Sequence, residues 1–347
     1  MTASVTAIRL ELRPSRRPEA IDLGALLDQA LGEGGTDSAR HFFFISHHTT
    51  AGFLDPGLRQ RLAADPKRLA EFLAALGSVF PPDAGYEHDQ LHLRDELTAA
   101  QRETEPLNAD AHLAFIGGGF TNCISVPAGD HRPLWFIDLD GVYLDRNNLT
   151  IRRTRSATVV GYHQEELTER VRLHVPVPRG AGVVRLDDPE FGIFPRIRET
   201  LDREGISSGR VGIRLSDPSP GVGITVNEFE ALLMGRDLTR ALADPLGFAR
   251  SGAEALAGTL SALGMASGRL RRLMDRALAH PAGRFLRMQR QVSLGVLPPE
   301  DEAGSLAMDS GQPGVLVSGT YQSPLLVQRA GTAGGRRALE VEFHRFG

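Results

Sequence analysis

The chain has 347 residues, 41% of them hydrophobic and 24% charged, the balance of a globular protein with core enough for two ordinary domains or one large one. Its 39 basic and 43 acidic residues leave a formal net charge of −4, which excludes the electrostatic footprint of a nucleic-acid binder. No stretch approaches the roughly 18 consecutive apolar residues of a membrane span, and the start Met1-Thr2-Ala3-Ser4-Val5 lacks a signal-peptide pattern, so no membrane partner and a cytoplasmic location are expected.

Ile8-Arg9-Leu10-Glu11-Leu12 alternates apolar and polar residues and predicts a half-buried strand. Leu23 to Leu31 reads as a short helix, and His41-Phe42-Phe43-Phe44-Ile45-Ser46 as an aromatic, β-prone run leading into His48. Asp65-Pro66 is a helix start, with Asp as N-cap and Pro at the first helical position. Leu69, Phe72, Leu73 and Leu76 mark its buried face. Strands are expected near 122–127, 134–139 and 149–160. Cys123 is the single cysteine, which excludes an intrachain disulfide; in its apolar run it reads as a buried residue rather than a nucleophile.

The pattern then restarts. Val171-Arg172-Leu173-His174-Val175 repeats the opening strand, Phe194 to Glu204 reads as a helix, and Arg210 to Ser216 takes the place of Arg40 to Ser46. Such self-similarity predicts a tandem duplication, joined near residues 163–170, with domains at 1–165 and 166–347. An Ala/Leu/Arg-rich helical insertion at about 245–290 interrupts the second; its apolar spacing suits a packing or subunit-contact pair.

Three histidines between residues 48 and 112 each stand in a polar motif: His48-Thr49-Thr50-Ala51-Gly52, Tyr86-Glu87-His88-Asp89 and Asn108-Ala109-Asp110-Ala111-His112-Leu113. Imidazole is the commonest metal ligand and general acid/base. Three from separate segments make either an open metal site, with a fourth position for water or substrate, or a proton-transfer site. A divalent metal (zinc, manganese or magnesium) would lower the pKa of bound water or polarise a phosphate oxygen. Asp89 suits an acceptor that orients an imidazole, or a base, and Thr49, Thr50 and Gly52 suit a tight loop that offers backbone donors to an anion. His47 should face away from His48, and His92 carries no motif. No Walker-type loop, Asp-rich diphosphate motif or organic-cofactor signature is evident in the sequence.

His-Thr-Thr-Ala, then Tyr-Glu-His-Asp, then Asn-x-x-x-His, then a small-residue run ending in Val126-Pro127 resembles the motif order of the YjbQ family, small α+β proteins assigned a secondary thiamine-phosphate synthase activity. Residues 7–163 look like one complete copy and 168–347 like a diverged second. The resemblance implies an α+β fold of two tandem domains, each a mixed or antiparallel sheet with packed helices, the two packed through their sheets. It also implies a homo-oligomer, with trimers as the family pattern. His48, His88 and His112 fall on the family's three histidines, as catalytic or metal-ligating groups, with Asp89 beside the second. Tyr86 and Asn108 accompany them as substrate-binding residues together with Thr49 and Thr50. Asp55-Pro56 matches an Asp-Pro pair past the first motif. Trp135 matches the tryptophan of a Gly-Thr-Trp-Gln turn, with Phe136 where glutamine is expected.

In the second copy, Gly223-Ile224-Thr225-Val226-Asn227-Glu228 resembles the family's Asn-Glu segment, Gly319-Thr320-Tyr321-Gln322 the turn, and Gly334-Gly335-Arg336-Arg337 a basic motif. Ser219 or Pro218 stands where the first histidine belongs. We read from this complementarity a division of labour in which Glu228, Gln322, Arg336 and Arg337 complete the site of the first copy. The family reaction joins a pyrimidine pyrophosphate to a thiazole phosphate. It therefore implies a small phosphorylated substrate, with Arg336, Arg337 or the Arg152–Arg155 run stabilising the leaving group. Two readings of other classes stay open: a metal-dependent hydrolase, and a non-catalytic protein that binds a metabolite or metal.

Overall fold

A computed structural model describes residues 5–32, 35–94, 97–145, 148–216, 221–228, 236–237, 239–240, 289–299, 312–319, 321–329 and 332–347. The insertion expected at 245–290 lies outside the described residues up to 288, as do Pro218, Ser219 and Thr320. No helix among the described residues is long and apolar enough to cross a membrane.

The first copy opens with β1 (Thr6–Leu12), β2 (Glu19–Asp22), α1 (Leu23–Leu31), β3 (His41–Ser46) and β4 (Ala51–Leu54). Helices α2 (Pro56–Leu62), α3 (Pro66–Val79), α4 (Ala99–Thr104) and α5 (Ala109–Gly118) follow, then β5 (Phe120–Thr121), β6 (Cys123–Pro127), β7 (Trp135–Asp138), β8 (Val142–Leu144), β9 (Thr150–Arg152) and β10 (Arg155–Tyr162). Asp65 caps α3 by accepting from the Lys67 and Arg68 amides, and Leu69, Leu73 and Leu76 are buried as their spacing requires. Asp55 caps α2 in the same way, a second Asp-Pro start. The strand expected over 149–160 is broken at Arg153-Thr154, which separates β9 from β10.

The second copy runs β11 (Glu165–Val177), β12 (Gly182–Arg185), α6 (Ile193–Glu204), β13 (Gly209–Leu215), β14 (Val222–Asn227), β15 (Gln291–Leu297), β16 (Val315–Val317), β17 (Ser323–Gln328) and β18 (Gly335–Phe346). The antiparallel order β1-β10-β3-β6 recurs as β11-β18-β13-β15, with β16 added at the edge, and β2-β7-β4 recurs as β12-β17-β14. Register sharpens the equivalence. Asp138 pairs with both Glu19 and Ala51, and Gln328 pairs with both Gly182 and Val222. Counting from these rows puts Pro56-Gly57 where the second copy has Asn227-Glu228. The same count places His131-Arg132, not Trp135, at the level of Tyr321-Gln322. Trp135 lies within β7, its indole N–H donating to the Ala63 carbonyl at 3.0 Å.

Strand alternation assigns each face. Phe42 and Phe44 point into the first copy's own core, while Phe43 and Ile45 join Cys123, Val160, Tyr162, Leu297 and Phe346 in a cluster drawn from both copies. Phe346 stacks on Tyr162 at 4.0 Å between ring centroids, and Phe43 meets it edge-on at 5.5 Å. The two copies thus pack through sheet faces, with Cys123 buried between them and its thiol pushed well above the usual range by that burial. The loop before β17 closes the seam. Gln322 donates from Nε2 to the carbonyls of Ser46 and His48 at 3.0 and 2.8 Å.

Candidate metal centre

Helix α5 begins against the 86–89 turn because the Asp89 carboxylate accepts the amides of Asn108 and Ala109, each at 3.0 Å. A carboxylate suits those free N–H groups and the positive end of the helix. This contact seats His112, one turn into α5, beside His88; the ring centroids lie 5.3 Å apart. Both residues are 1% exposed. The His112 Nδ1–H donates to Asn227 Oδ1 at 2.7 Å. The assignment follows because the Asn227 Nδ2 amide already donates to the Thr49 carbonyl and its Oδ1 accepts from the Glu228 amide. His88 Nδ1 lies 3.4 Å from Asp89 Oδ1.

Both Nε2 atoms are buried without a hydrogen-bond partner. The Glu228 carboxylate comes within 3.4 Å of His112 Nε2. Among the described residues, His88, His112 and Glu228 form a group whose donor atoms all lie within 4.8 Å of one another. Arg94, 2% exposed, positions the carboxylate from behind, bridging Glu228 at 3.4 Å and Glu105 at 3.2 Å. Burial lowers the His112 pKa, as does the neighbouring His88, against the opposing pull of Glu228. A neutral ring with its proton on Nδ1 leaves the Nε2 lone pair facing the cluster.

His48 stands apart from this group. Its Nε2 accepts the Ser156 amide at 2.8 Å, so the neutral ring carries its proton on Nδ1 and the ε lone pair is spent. Burial, followed by the Arg155, His47 and Arg153 charges, holds its pKa at about 3. The sequence joined His48 to His88 and His112; the structure puts Glu228 in that place. His47 meets Thr158 Oγ1 at 2.9 Å.

Between His48 and α5 lies a buried charge network that the sequence reading missed. Arg155, 1% exposed, binds Asp138 and Asp140, both 0% exposed. Asp140 also accepts from Thr50 Oγ1, from Asn108 Nδ2 at 2.7 Å and from Arg153 at 3.0 Å. Burial alone would raise the Asp140 carboxyl, but the Arg155 and Arg153 guanidiniums with these hydrogen bonds hold it well below the usual range. Thr50 and Asn108 are therefore tied to Asp140. The sequence signal was the spacing Asp138-Leu139-Asp140-Gly141 followed by Arg153 and Arg155.

Other expected site residues sit differently. Tyr86 is 3% exposed and packs in the helical core, its hydroxyl donating to the Pro81 carbonyl at 2.9 Å, which leaves no free donor for substrate. Gln322 spends its amide on the His48 loop and accepts the Gly319 amide at 2.7 Å, a seam contact rather than a substrate contact. Arg336 and Arg337 stand at the start of β18 and bond the carbonyls of His174 and Ala333. The arginines beside His48 are Arg153 and Arg155. Thr49 contributes its carbonyl to Asn227. His92 is exposed.

No family model matches the chain. A UPF0047 protein of Methanothermobacter thermautotrophicus is 30% identical over 137 residues, spanning 38% of this chain and 81% of that protein. Among solved structures, a YbjQ-like protein of unknown function from Sulfolobus solfataricus is 20% identical, covering 52% of this chain and 99% of its own, with a TM-score of 0.29. A YjbQ/UPF0047 protein of Clostridium acetobutylicum is 13% identical over 50% of this chain and 98% of its own, with a TM-score of 0.27.

Proposed function

The chain belongs to the YjbQ/UPF0047 family, and we propose that within it this protein is a metal-dependent enzyme, with His88, His112 and Glu228 holding one divalent cation that faces a small phosphorylated substrate. The observation that carries this reading is the pair of buried Nε2 atoms without partners, gathered with one carboxylate. Two imidazoles and a carboxylate are a familiar set for a zinc site that keeps a position open, and orphaned polar atoms at this depth call for a partner. A bound divalent cation would supply Lewis acidity toward a phosphate or water oxygen.

The chain's own residues do the rest. Asn227 fixes the His112 tautomer, Asp89 orients the His88 side, and Arg94 aims the Glu228 carboxylate; such outer partners set ligand geometry. Arg153, with 37% of its side chain exposed beyond Asp140, is the cation we assign to the substrate phosphate. Transfer chemistry of the thiamine-phosphate synthase kind is the activity to assay first, on the strength of family resemblance. A hydrolase would use the same cluster with water as nucleophile.

Elemental analysis of the purified chain and its variants tests the metal. The reading expects one divalent ion per chain, lost in His88→Ala, His112→Ala and Glu228→Ala and retained in His48→Ala. A folded chain that takes up no zinc or manganese refutes it, and so does metal lost with His48 and kept without Glu228.

A further inference from the structure

The site is anchored on its His88 side by a residue of the second copy that no motif marked. Asp237, 0% exposed, accepts the amide of Glu87 at 3.1 Å on one carboxylate oxygen and the amide of His88 at 2.9 Å on the other. A carboxylate that spans two successive N–H groups fixes the orientation of the peptide between them, and with it the direction in which the next Cα–Cβ bond leaves the chain. Neighbouring charges hold the same segment. Arg236 reaches Glu87 at 3.3 Å and Arg240 reaches it at 3.8 Å, while Arg240 also lies 3.7 Å from Asp237.

Glu228 and Asp237 follow each other closely in the chain, yet they grip opposite sides of the cluster. Glu228 meets the His112 imidazole, its neighbour Asn227 fixes that ring's tautomer, and Asp237 fixes the His88 backbone. We propose that Asp237 is a positioning residue for the metal ligand His88, so that this carboxylate of the second copy belongs to the metal centre. The inference rests on the metal reading above. Its place in the sequence explains why it went unseen, because a lone aspartate past the family's Asn-Glu segment matches no motif.

The test is zinc affinity of the full chain, measured by competition with a chromophoric chelator, for wild type, Asp237→Ala, Asp237→Asn and a control, Leu201→Ala, in the second copy's core. Asp237→Ala is expected to weaken zinc binding on the order of tenfold, the range of outer-sphere losses. Asp237→Asn keeps one acceptor oxygen and should lose less. It also carries the test if the alanine variant does not fold. Amide exchange at Glu87 and His88 should speed up in the alanine variant. The control should lower thermal stability and leave zinc affinity unchanged. Wild-type zinc affinity in both Asp237 variants overturns the proposal, as does an equal loss in the Leu201 control. Wild-type protein that binds no zinc overturns the metal reading itself, and this inference with it.

Discussion

His48 supplies a sharp quantitative prediction, because its ring is locked neutral. Burial first, then the Arg155, His47 and Arg153 charges, depress its pKa to about 3, against about 6.5 in an unfolded chain. The folded state therefore refuses a proton that the unfolded state accepts. Its contribution to stability is complete above the unfolded value and is lost progressively as pH falls toward the folded one. Between about pH 7.5 and about pH 5 the unfolded chain gains most of one proton at this site, a linkage worth about 2 kcal/mol. Urea unfolding of wild type and His48→Gln at both pH values isolates the effect, since every other titrating group is common to the two chains. Glutamine places an acceptor oxygen close to the position of Nε2 and keeps the Ser156 bond while removing the titration. Wild type should lose about 2 kcal/mol more than the variant on acidification. Equal losses would mean that His48 protonates within the fold, and would refute the locked tautomer that keeps it apart from the His88–His112–Glu228 cluster.

Arg155→Ala removes the buried guanidinium shared by two carboxylates at 0% exposure. Breaking a buried charge network typically costs about 3–5 kcal/mol, so a urea midpoint close to wild type would refute the view that this network carries the Thr50 and Asn108 segments. Gly319→Ala sets a Cβ 1.9 Å from the His47 carbonyl oxygen, and the backbone on one side of the seam must move. The expected loss is about 1–3 kcal/mol by thermal or chemical unfolding, and a neutral result would show that the seam is looser than its contacts imply. Glu228→Gln keeps the shape of the carboxylate and removes its charge. Weaker zinc uptake by a variant that still folds is expected, and undiminished zinc affinity would remove Glu228 from the ligand set.

Much of the fold was legible because its signals are local. Asp65-Pro66 announced α3, the alternation of residues 8–12 announced β1, and its recurrence at 171–175 announced the second copy. Asp55-Pro56 carried the same helix-start chemistry as Asp65-Pro66, and was read instead as a family pair. The site was legible only in part, because its geometry depends on partners distant in the chain. Nothing near His48 says that its Nε2 will meet the Ser156 amide, since β10 must first pair with β3 to bring that amide across. Tyr86 sits in a motif, yet its hydroxyl is used up by a carbonyl five residues back. Arg336-Arg337 and Arg153-Arg155 are equally basic on paper, and only the sheet register decides which pair lies beside His48.

The two copies differ where a self-contained site would need them to agree. The β4 and β14 rows set Pro56-Gly57 against Asn227-Glu228, and neither proline nor glycine offers a side chain that can hold an imidazole tautomer or join two histidines at a cation. Where Asn227 ends a strand and reaches across to Thr49, Pro56 instead opens α2 behind its Asp55 cap. The first copy thus has a helix start at that position, which local backbone chemistry stabilises but which offers neither the acceptor nor the carboxylate. In sequence, the second copy has Ser219 or Pro218 where the first has His48. On the face where the copies meet, Asn227 and Glu228 approach His112, and Gln322 holds the carbonyl of His48. If the His88–His112–Glu228 cluster holds a metal as proposed, the two copies share that site. Covalent linkage keeps its two halves together at any concentration, because closing a contact within one chain carries no cost of bringing two molecules together.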